Sequence, residues 1–329
     1  MPCEVITFGE AMVRLSPPNF RRLEQASSLD VMVGGAELNT AVGLARLGHS
    51  SAWVSRLTNN PLGRLIANRA REAGVSTEHL LWTKEDRVGV YFLEFGAAPR
   101  ASSVLYDRRG AAIAHVKPGM LPWAKIFAGC RWFHVTGITP ALSVDAAETT
   151  REALQAARAA GLRNSIDLNY RVKLWSTADA GRWMSEFMEF CDVLITTEED
   201  TERVFGIKGK DYEDVADKVA QRFPALDIVA VTLRENPLVW KNSWTAIAYQ
   251  KGKLFRTRSY EVEIVDRLGA GDSFAAGLIH GLLHNDLQKG LDFGVAASAI
   301  KHSIPGDFAW ITRDEVEALM KGPGLRISR

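Results

Sequence analysis

Hydrophobic and polar positions along this chain alternate between two periods. Short apolar runs at 5–8, 52–54, 132–135, 165–167, 193–195 and 228–232 are too brief for helices and predict strands. Between them, apolar residues recur every three to four positions, which predicts helices such as 146–160, 178–190 and 214–223. Strands alternating with helices predict an α/β fold: a mostly parallel central sheet between two helical layers. Two regions depart from that rhythm. Residues 12–15 with 29–33, and GVYFLEF (89–95) with SSVLYDR (102–108), read as extended hairpin segments, the second pair joined through the turn-forming GAAPRAS. Such strands do not fit easily into a parallel core. They predict a small β-sheet lid formed by about residues 10–33 and 88–113. No Pro/Gly/Ser-rich linker divides the chain, so residues 1–329 are expected to form one domain carrying that lid.

Composition narrows the partners. The chain has 329 residues and is 47% hydrophobic, enough for a sizeable core. A net charge of +1 gives no reason to expect nucleic acid or an anionic membrane as partner. No run of 18 apolar residues predicts a membrane span. The opening MPCEVITFGEAM lacks a basic segment followed by a long apolar one, so no signal peptide is expected. Cys3, Cys130 and Cys191 are far apart and lack metal-ligand spacing, which suits a reducing, cytoplasmic setting. The seven histidines form no H-E-x-x-H pattern, and His134, inside an apolar strand, reads as a core residue.

The densest chemistry lies in VDRLGAGDSFAAG, residues 265–277. A strand ending in Val262, Ile264 and Val265 runs into a Gly-Ala-Gly turn, with Asp272 in the first turn of an apolar helix. Glycines let the backbone bend and approach a ligand closely. A helix start offers unpaired N–H groups and the positive end of a dipole, which suits phosphate. An aspartate with an ordinary pKa of about 3.9 is ionised at neutral pH. Beside such an anion hole it can take the proton of an attacking hydroxyl. A second stretch, GGAELNTAVGLARLG (34–48), opens a helix on Gly34 and Gly35 and places Asn39 to face sugar hydroxyls. Taken alone it is equally a structural turn. The third, DLNYR (167–171), ends a strand where open α/β sheets bind ligands. Its Arg171, with Arg108 from the lid strand, supplies two guanidinium groups suited to a carboxylate, near Tyr91 and Tyr106. Pairing of either arginine with a nearby acid is the competing reading. Neither a G-x-x-x-x-G-K-[ST] loop nor a G-x-G-x-x-G after a strand is present.

Residues Asp266, Gly269, Ala270, Gly271, Asp272, Phe274 and Gly277 match D-x-x-G-A-G-D-x-F-x-x-G, and the chain thereby resembles the ribokinase-like (PfkB) carbohydrate kinases. GVYFLEF, VLYDRRGAAIA, HVTGITPALS, DLNYRVKLW, VTLRE and AIKHSIPGDF extend the resemblance over roughly residues 4–318, toward the bacterial 2-keto-3-deoxygluconate (KDG) kinases. The resemblance implies a ribokinase-like three-layer α/β/α fold and transfer of the ATP γ-phosphoryl group to the 6-hydroxyl of KDG, with Asp272 as base. It implies that Gly269, Ala270 and Gly271 stabilise the transferred phosphoryl. Substrate contacts are implied at Gly34, Gly35, Asn39, Tyr91, Tyr106, Arg108, Arg171, Asp272 and Asp307, although Asp307 in IPGDF could equally form only its turn. Nucleotide contacts are implied at Asn169, Thr197, Thr232, Leu233, Arg234 and Gly269 to Gly271. ATP and Mg²⁺ are implied, a monovalent cation is left open, and a homo-oligomer is expected because exposed sheet edges pair readily.

Three departures qualify this. The N-x-x-E segment of many relatives is ITTEED here, with Thr197 and Asp200, so Asp200 is the one metal candidate. The nucleotide loop lacks its usual glycines in VTLRENPLVWKNSW, where Pro237 also removes a donor. Ala111 stands where relatives often have serine. Alternatives are a related kinase of 5-dehydro-2-deoxygluconate, fructose or ribose, and a non-catalytic ligand sensor of the same fold.

Overall fold

The structure is a computed structural model that describes residues 3–238 and 241–322, with side chains over 3–233 and 243–322. Its strands are β1 (Val5–Phe8), β2 (Met12–Ser16), β3 (Asp30–Gly34), β4 (Ser51–Thr58), β5 (Leu80–Thr83), β6 (Val90–Glu94), β7 (Ser103–Asp107), β8 (Trp132–Thr136), β9 (Arg163–Asp167), β10 (Val193–Thr196), β11 (Ile228–Leu238), β12 (Lys241–Gln250), β13 (Lys253–Arg256) and β14 (Tyr260–Glu263). The helices are α1 (Ala36–Arg46), α2 (Pro61–Glu72), α3 (Trp123–Ile126), α4 (Val144–Ala159), α5 (Thr177–Phe187), α6 (Glu198–Phe205), α7 (Tyr212–Arg222), α8 (Ala270–Leu283), α9 (Leu287–Lys301) and α10 (Arg313–Lys321).

Successive side chains of a strand point to opposite faces. Val193 and Ile195 of β10 therefore join one apolar cluster with α8 and α9, while Leu194 joins another with α4, α5 and α7. Ile228 and Ala230 of β11 divide from Val229 and Val231 in the same way. Strands apolar on both faces must be covered on both, and the result is the three-layer α/β/α fold. The large sheet runs β13-β12-β11-β10-β9-β8-β1-β4-β5, with β14 paired to β12. It is parallel from β11 through β5 and antiparallel at the β11–β12, β12–β13 and β12–β14 pairs. The expected strand 5–8 matches β1, and the other five fall inside β4, β8, β9, β10 and β11.

The stretch 231–244, expected to be a nucleotide loop, is instead largely the β11–β12 hairpin. Its register shifts between Glu235 and Leu238, where Pro237 has no N–H for the ladder. β14 ends at Glu263, before Ile264 and Val265. A separate sheet has the order β3-β2-β6-β7. The two expected hairpin segments form its antiparallel pairs β2–β3 and β6–β7, joined by parallel pairing of β2 with β6.

Helices α8 and α9 pack glycine to glycine. A Cβ on Gly281 would stand 2.1 Å from Gly290 Cα, and one on Gly277 2.6 Å from Gly294 Cα. Gly281→Ala is therefore expected to lower stability by about 1–3 kcal/mol through overpacking. Urea denaturation measures this; an unchanged midpoint would show that the helices can separate without cost.

Candidate active site

The turn before α8 is fixed by a requirement for glycine. Gly269 has φ +81°, and a Cβ there would lie 1.9 Å from the Asp307 carbonyl oxygen. Gly271 faces open space, since an added Cβ would meet nothing within 4 Å. Among the described residues no side chain covers Gly271, so the backbone and dipole at this helix start border the cavity.

Asp272 sits in the first turn of α8, where Asn39 Nδ2 donates to its Oδ2 at 2.7 Å. Burial pushes its pKa up to about 6; Asp307 adds to the rise, while Asn39, Arg171 and Lys301 oppose it. The ordinary value expected from sequence is thus corrected, because the carboxyl lies beneath the small sheet and out of bulk water. Asn39 Nδ2 donates one N–H to Asp272 and its Oδ1 accepts from Gly35 N at 3.3 Å, so the side chain orients the aspartate from the wall of the inner cavity.

Two cavities meet at Asp272. The inner one lies against the small sheet and is lined by Gly34, Gly35, Asn39, Tyr91, Tyr106, Arg108, Arg171, Asp307 and Asp272, together with Glu10 and Asn169. Gly34 gives Asp307 and Tyr91 their room, since a Cβ there would fall 2.2 Å from Asp307 Oδ2 and 2.6 Å from Tyr91 Oη. Asp307 is already engaged: Tyr91 Oη donates to Oδ2 at 2.5 Å, and Arg14 Nη1 lies 2.8 Å from Oδ1. Arg108 is paired with the buried Glu10, whose Oε1 has no partner among the described residues. Burial raises the Glu10 pKa and Arg108 pulls it back.

The outer cavity, about 560 Å³, is lined by Asp167, Asn169, Arg171, Thr197, Asp200, Thr232, Leu233, Gly269 and Gly271, among others. Ala270 is buried at the helix start and does not line it. Arg234 lies in β11, but its side chain is outside the described residues. Thr197 caps α6, accepting from Asp200 N at 3.1 Å. Asn169 holds the uncommon φ of +38°, and its N–H donates to Asp167 Oδ1 at 3.1 Å. This bend turns the chain after β9 along the cavity wall.

Asp167, Asp200 and Asp272 border this cavity together with Arg171. Burial, and then the charges of Asp272 and Asp200, push Asp167 up to about 8. Burial likewise raises Asp200, and Arg171 opposes it. Carboxylates that repel one another beside this cavity suit a divalent cation, which Mg²⁺ meets with one or two carboxylates plus phosphate oxygens.

Sequence reasoning missed Asp167, Glu10 and Arg14. Asp167 had a signal, since it ends a parallel strand at the head of DLNYR. Glu10 and Arg14 had none, because their partners lie 98 and 293 residues away.

A buried carboxylate at a glycine-bordered helix start, between a phosphate-type cavity and a polar one, defines a small-molecule phosphotransferase site. Residues 3–308 match the pfkB family carbohydrate kinase model, and the chain belongs to that family of enzymes. It is similar to the crystal structure of 2-dehydro-3-deoxygluconokinase from Thermotoga maritima, with 43% identity, a TM-score of 0.94 and coverage of 98% of this chain and 99% of that one. It is 38% identical to the 2-dehydro-3-deoxygalactonokinase of Haloferax volcanii over the whole of both chains. It is 28% identical to the 5-dehydro-2-deoxygluconokinase of Shouchella clausii, covering 97% of this chain and 95% of the other. Among the described residues no helix is long and apolar enough to cross a membrane.

Proposed function

We propose that this kinase transfers the γ-phosphoryl group of ATP to the 6-hydroxyl of 2-keto-3-deoxygluconate. The observation that carries the reading is the meeting of the two cavities at Asp272, with Arg108 and Arg171 on the inner wall. In this reading ATP lies in the outer cavity against Asn169, Thr197, Thr232 and Leu233, with its terminal phosphate at the Gly269–Gly271 turn. The N–H groups there meet charge developing on the phosphoryl oxygens. Asp272 takes the proton from the hydroxyl as the oxygen attacks phosphorus, and the bond to ADP breaks. Asp167 and Asp200 would hold Mg²⁺, which when bound neutralises phosphate charge. The substrate carboxylate lies against Arg108 and Arg171, fixing the far end of the sugar so that its hydroxyl meets Asp272. Glu10 keeps the Arg108 guanidinium in place. The small sheet acts as the lid that excludes water.

The galacto epimer is a second reading, favoured by the 38% identity to the Haloferax enzyme. Release of ADP from Mg·ATP tests both, against KDG, 2-keto-3-deoxygalactonate, 5-dehydro-2-deoxygluconate, fructose and ribose. Turnover restricted to a keto acid supports the arginine argument; turnover on fructose or ribose alone rejects it. Arg171→Ala is expected to raise KM for a sugar acid by at least about tenfold, the scale of one charge-assisted contact. Steady-state kinetics with a neutral sugar is the control, and an equal rise there argues against carboxylate recognition.

Val31 and Leu105, on the two edge strands of the small sheet, are 48% and 60% exposed. We expect these edges to meet a second copy of the chain. Sedimentation velocity reads the result, and a monomer at micromolar concentration rejects it.

A further inference from the structure

On the side of the molecule served by the C-terminal end of α8, three histidines converge. His280 and His284 stand four residues apart, on one face of α8 and at its C-cap. His49 joins them from the turn between α1 and β4. One ring nitrogen of each lies within 4.8 Å of those of the others. The His49–His280 pair is 231 residues apart in sequence, so the spacing of His280 and His284 gives no sign of the third member.

Their hydrogen bonds select the tautomers. His49 Nδ1 is 2.6 Å from Glu4 Oε2, and a carboxylate can only accept, so Nδ1 carries the proton. His284 Nδ1 donates to the His280 carbonyl at 2.8 Å. In the neutral tautomer each of these rings then has its lone pair on Nε2. His280 Nδ1 stands 2.8 Å from His49 Nε2 and donates to it. Its own Nε2 is buried without a partner among the described residues.

We propose that His49, His280 and His284 form a transition-metal site of the Zn²⁺ class, separate from the Mg·ATP site. Three imidazole nitrogens suit Zn²⁺, Co²⁺, Ni²⁺ or Cu²⁺, whereas Mg²⁺ and Ca²⁺ prefer oxygen. The His49–Glu4 contact is the carboxylate–histidine arrangement that orients metal-bound imidazoles. The helix C-terminus adds favourable negative potential. Nitrogens sharing a tetrahedral ion at about 2.0–2.1 Å lie about 3.3 Å apart, so the His49–His280 hydrogen bond opens by roughly half an ångström. The His280 proton moves from Nδ1 to Nε2 and the ring stays neutral. Arg46, Arg131, Arg313 and Lys289 surround the group, with Arg46 Nε donating to the Ile311 carbonyl. Arg131 pairs with Glu4, Arg313 lies 2.8 Å from Glu317, and Lys289 lies over the Phe293 ring. That surround opposes a loosely held cation and leaves the metal–nitrogen bonds as the source of affinity. The ion would tie the α1–β4 turn to α8. At 1.5 Å per residue, His284 lies about 18 Å along the helix from Asp272, so the ion takes no part in phosphoryl transfer.

The test is titration of the chelator-stripped, full-length protein with Co²⁺ and Zn²⁺, followed by calorimetry, visible absorption and melting temperature. One equivalent is expected to bind at micromolar or lower Kd, with d–d bands of a nitrogen-bound ion and a raised Tm. His284→Gln, at an exposed position, should lose the site, and Glu4→Gln should weaken it by about 10–100-fold. Absence of stoichiometric binding overturns the proposal. So does binding that survives in His49→Gln/His284→Gln, or a thiolate charge-transfer band pointing to Cys3 or Cys130.

Discussion

Replacing Asp272 by asparagine is expected to lower kcat by about 10²–10⁴-fold, the usual contribution of a positioned general base. KM should change little, because the amide keeps the size of the carboxyl and can still accept from Asn39. Stability should hold or rise, and this is the more discriminating half of the prediction. The Asp272 pKa is near 3.8 in the unfolded chain and about 6 in the folded one. Across that window the folded state binds more protons than the unfolded state, so stability falls as pH rises through it and stays lower above it. Asparagine never ionises and escapes that loss. A variant inactive but at least as stable at pH 8 fits a base held in its charged form against burial. Near-normal turnover rejects the base assignment, and a collapsed Tm makes the residue structural. The wild-type kcat/KM should follow the same ionisation, flat well above pH 6 and falling about tenfold per unit well below it.

The second large effect is on folding. Arg14 is fully buried in β2 and lies 2.7 Å from Asp266 Oδ2 and 2.8 Å from Asp307 Oδ1. Burial alone would depress its pKa, but Asp307 and Asp266 outweigh this and hold it above its usual value. Arg14→Met preserves much of the volume and strands two buried carboxylates. Breaking a buried pair this way costs about 3–5 kcal/mol. Burial leads the causes that raise the Asp307 pKa, and removal of Arg14 raises it further. The gap between variant and wild type should therefore narrow as pH falls and the acids protonate. Thermal denaturation at pH 8 and pH 5 measures this, and a gap independent of pH would mean that the loss is one of packing. Arg14 also joins the small sheet to the turns before α8 and after α9, so the surviving folded fraction should bind its sugar less well.

Much of the fold was legible because its signals are local. Short apolar runs and the 3.6-residue pattern marked β1, β8, β9, β10 and the helices between them. β12 and β13 escaped, because KNSWTAIAYQ and KLFR mix polar and apolar residues instead of forming a continuous apolar run, although β12 lies between β11 and the β13 and β14 strands. The 231–244 stretch was misread because a missing glycine pattern does not distinguish a loop from a hairpin.

The sequence by itself determined the chemistry at the α8 start. Gly269, Ala270, Gly271 and Asp272 are neighbours, and only glycine fits the left-handed turn against Asp307. It also placed Arg108, Arg171, Tyr91 and Tyr106 among the candidates, by residue type and strand end. Only the tertiary structure decided their electrostatic state. It brought Asp167 and Asp200 toward Asp272, set Glu10 on Arg108, engaged Asp307 with Arg14, and hydrogen-bonded Asn39 to Asp272. Those effects arise from burial and from charges tens to hundreds of residues apart in the chain. A local pattern carries no record of either.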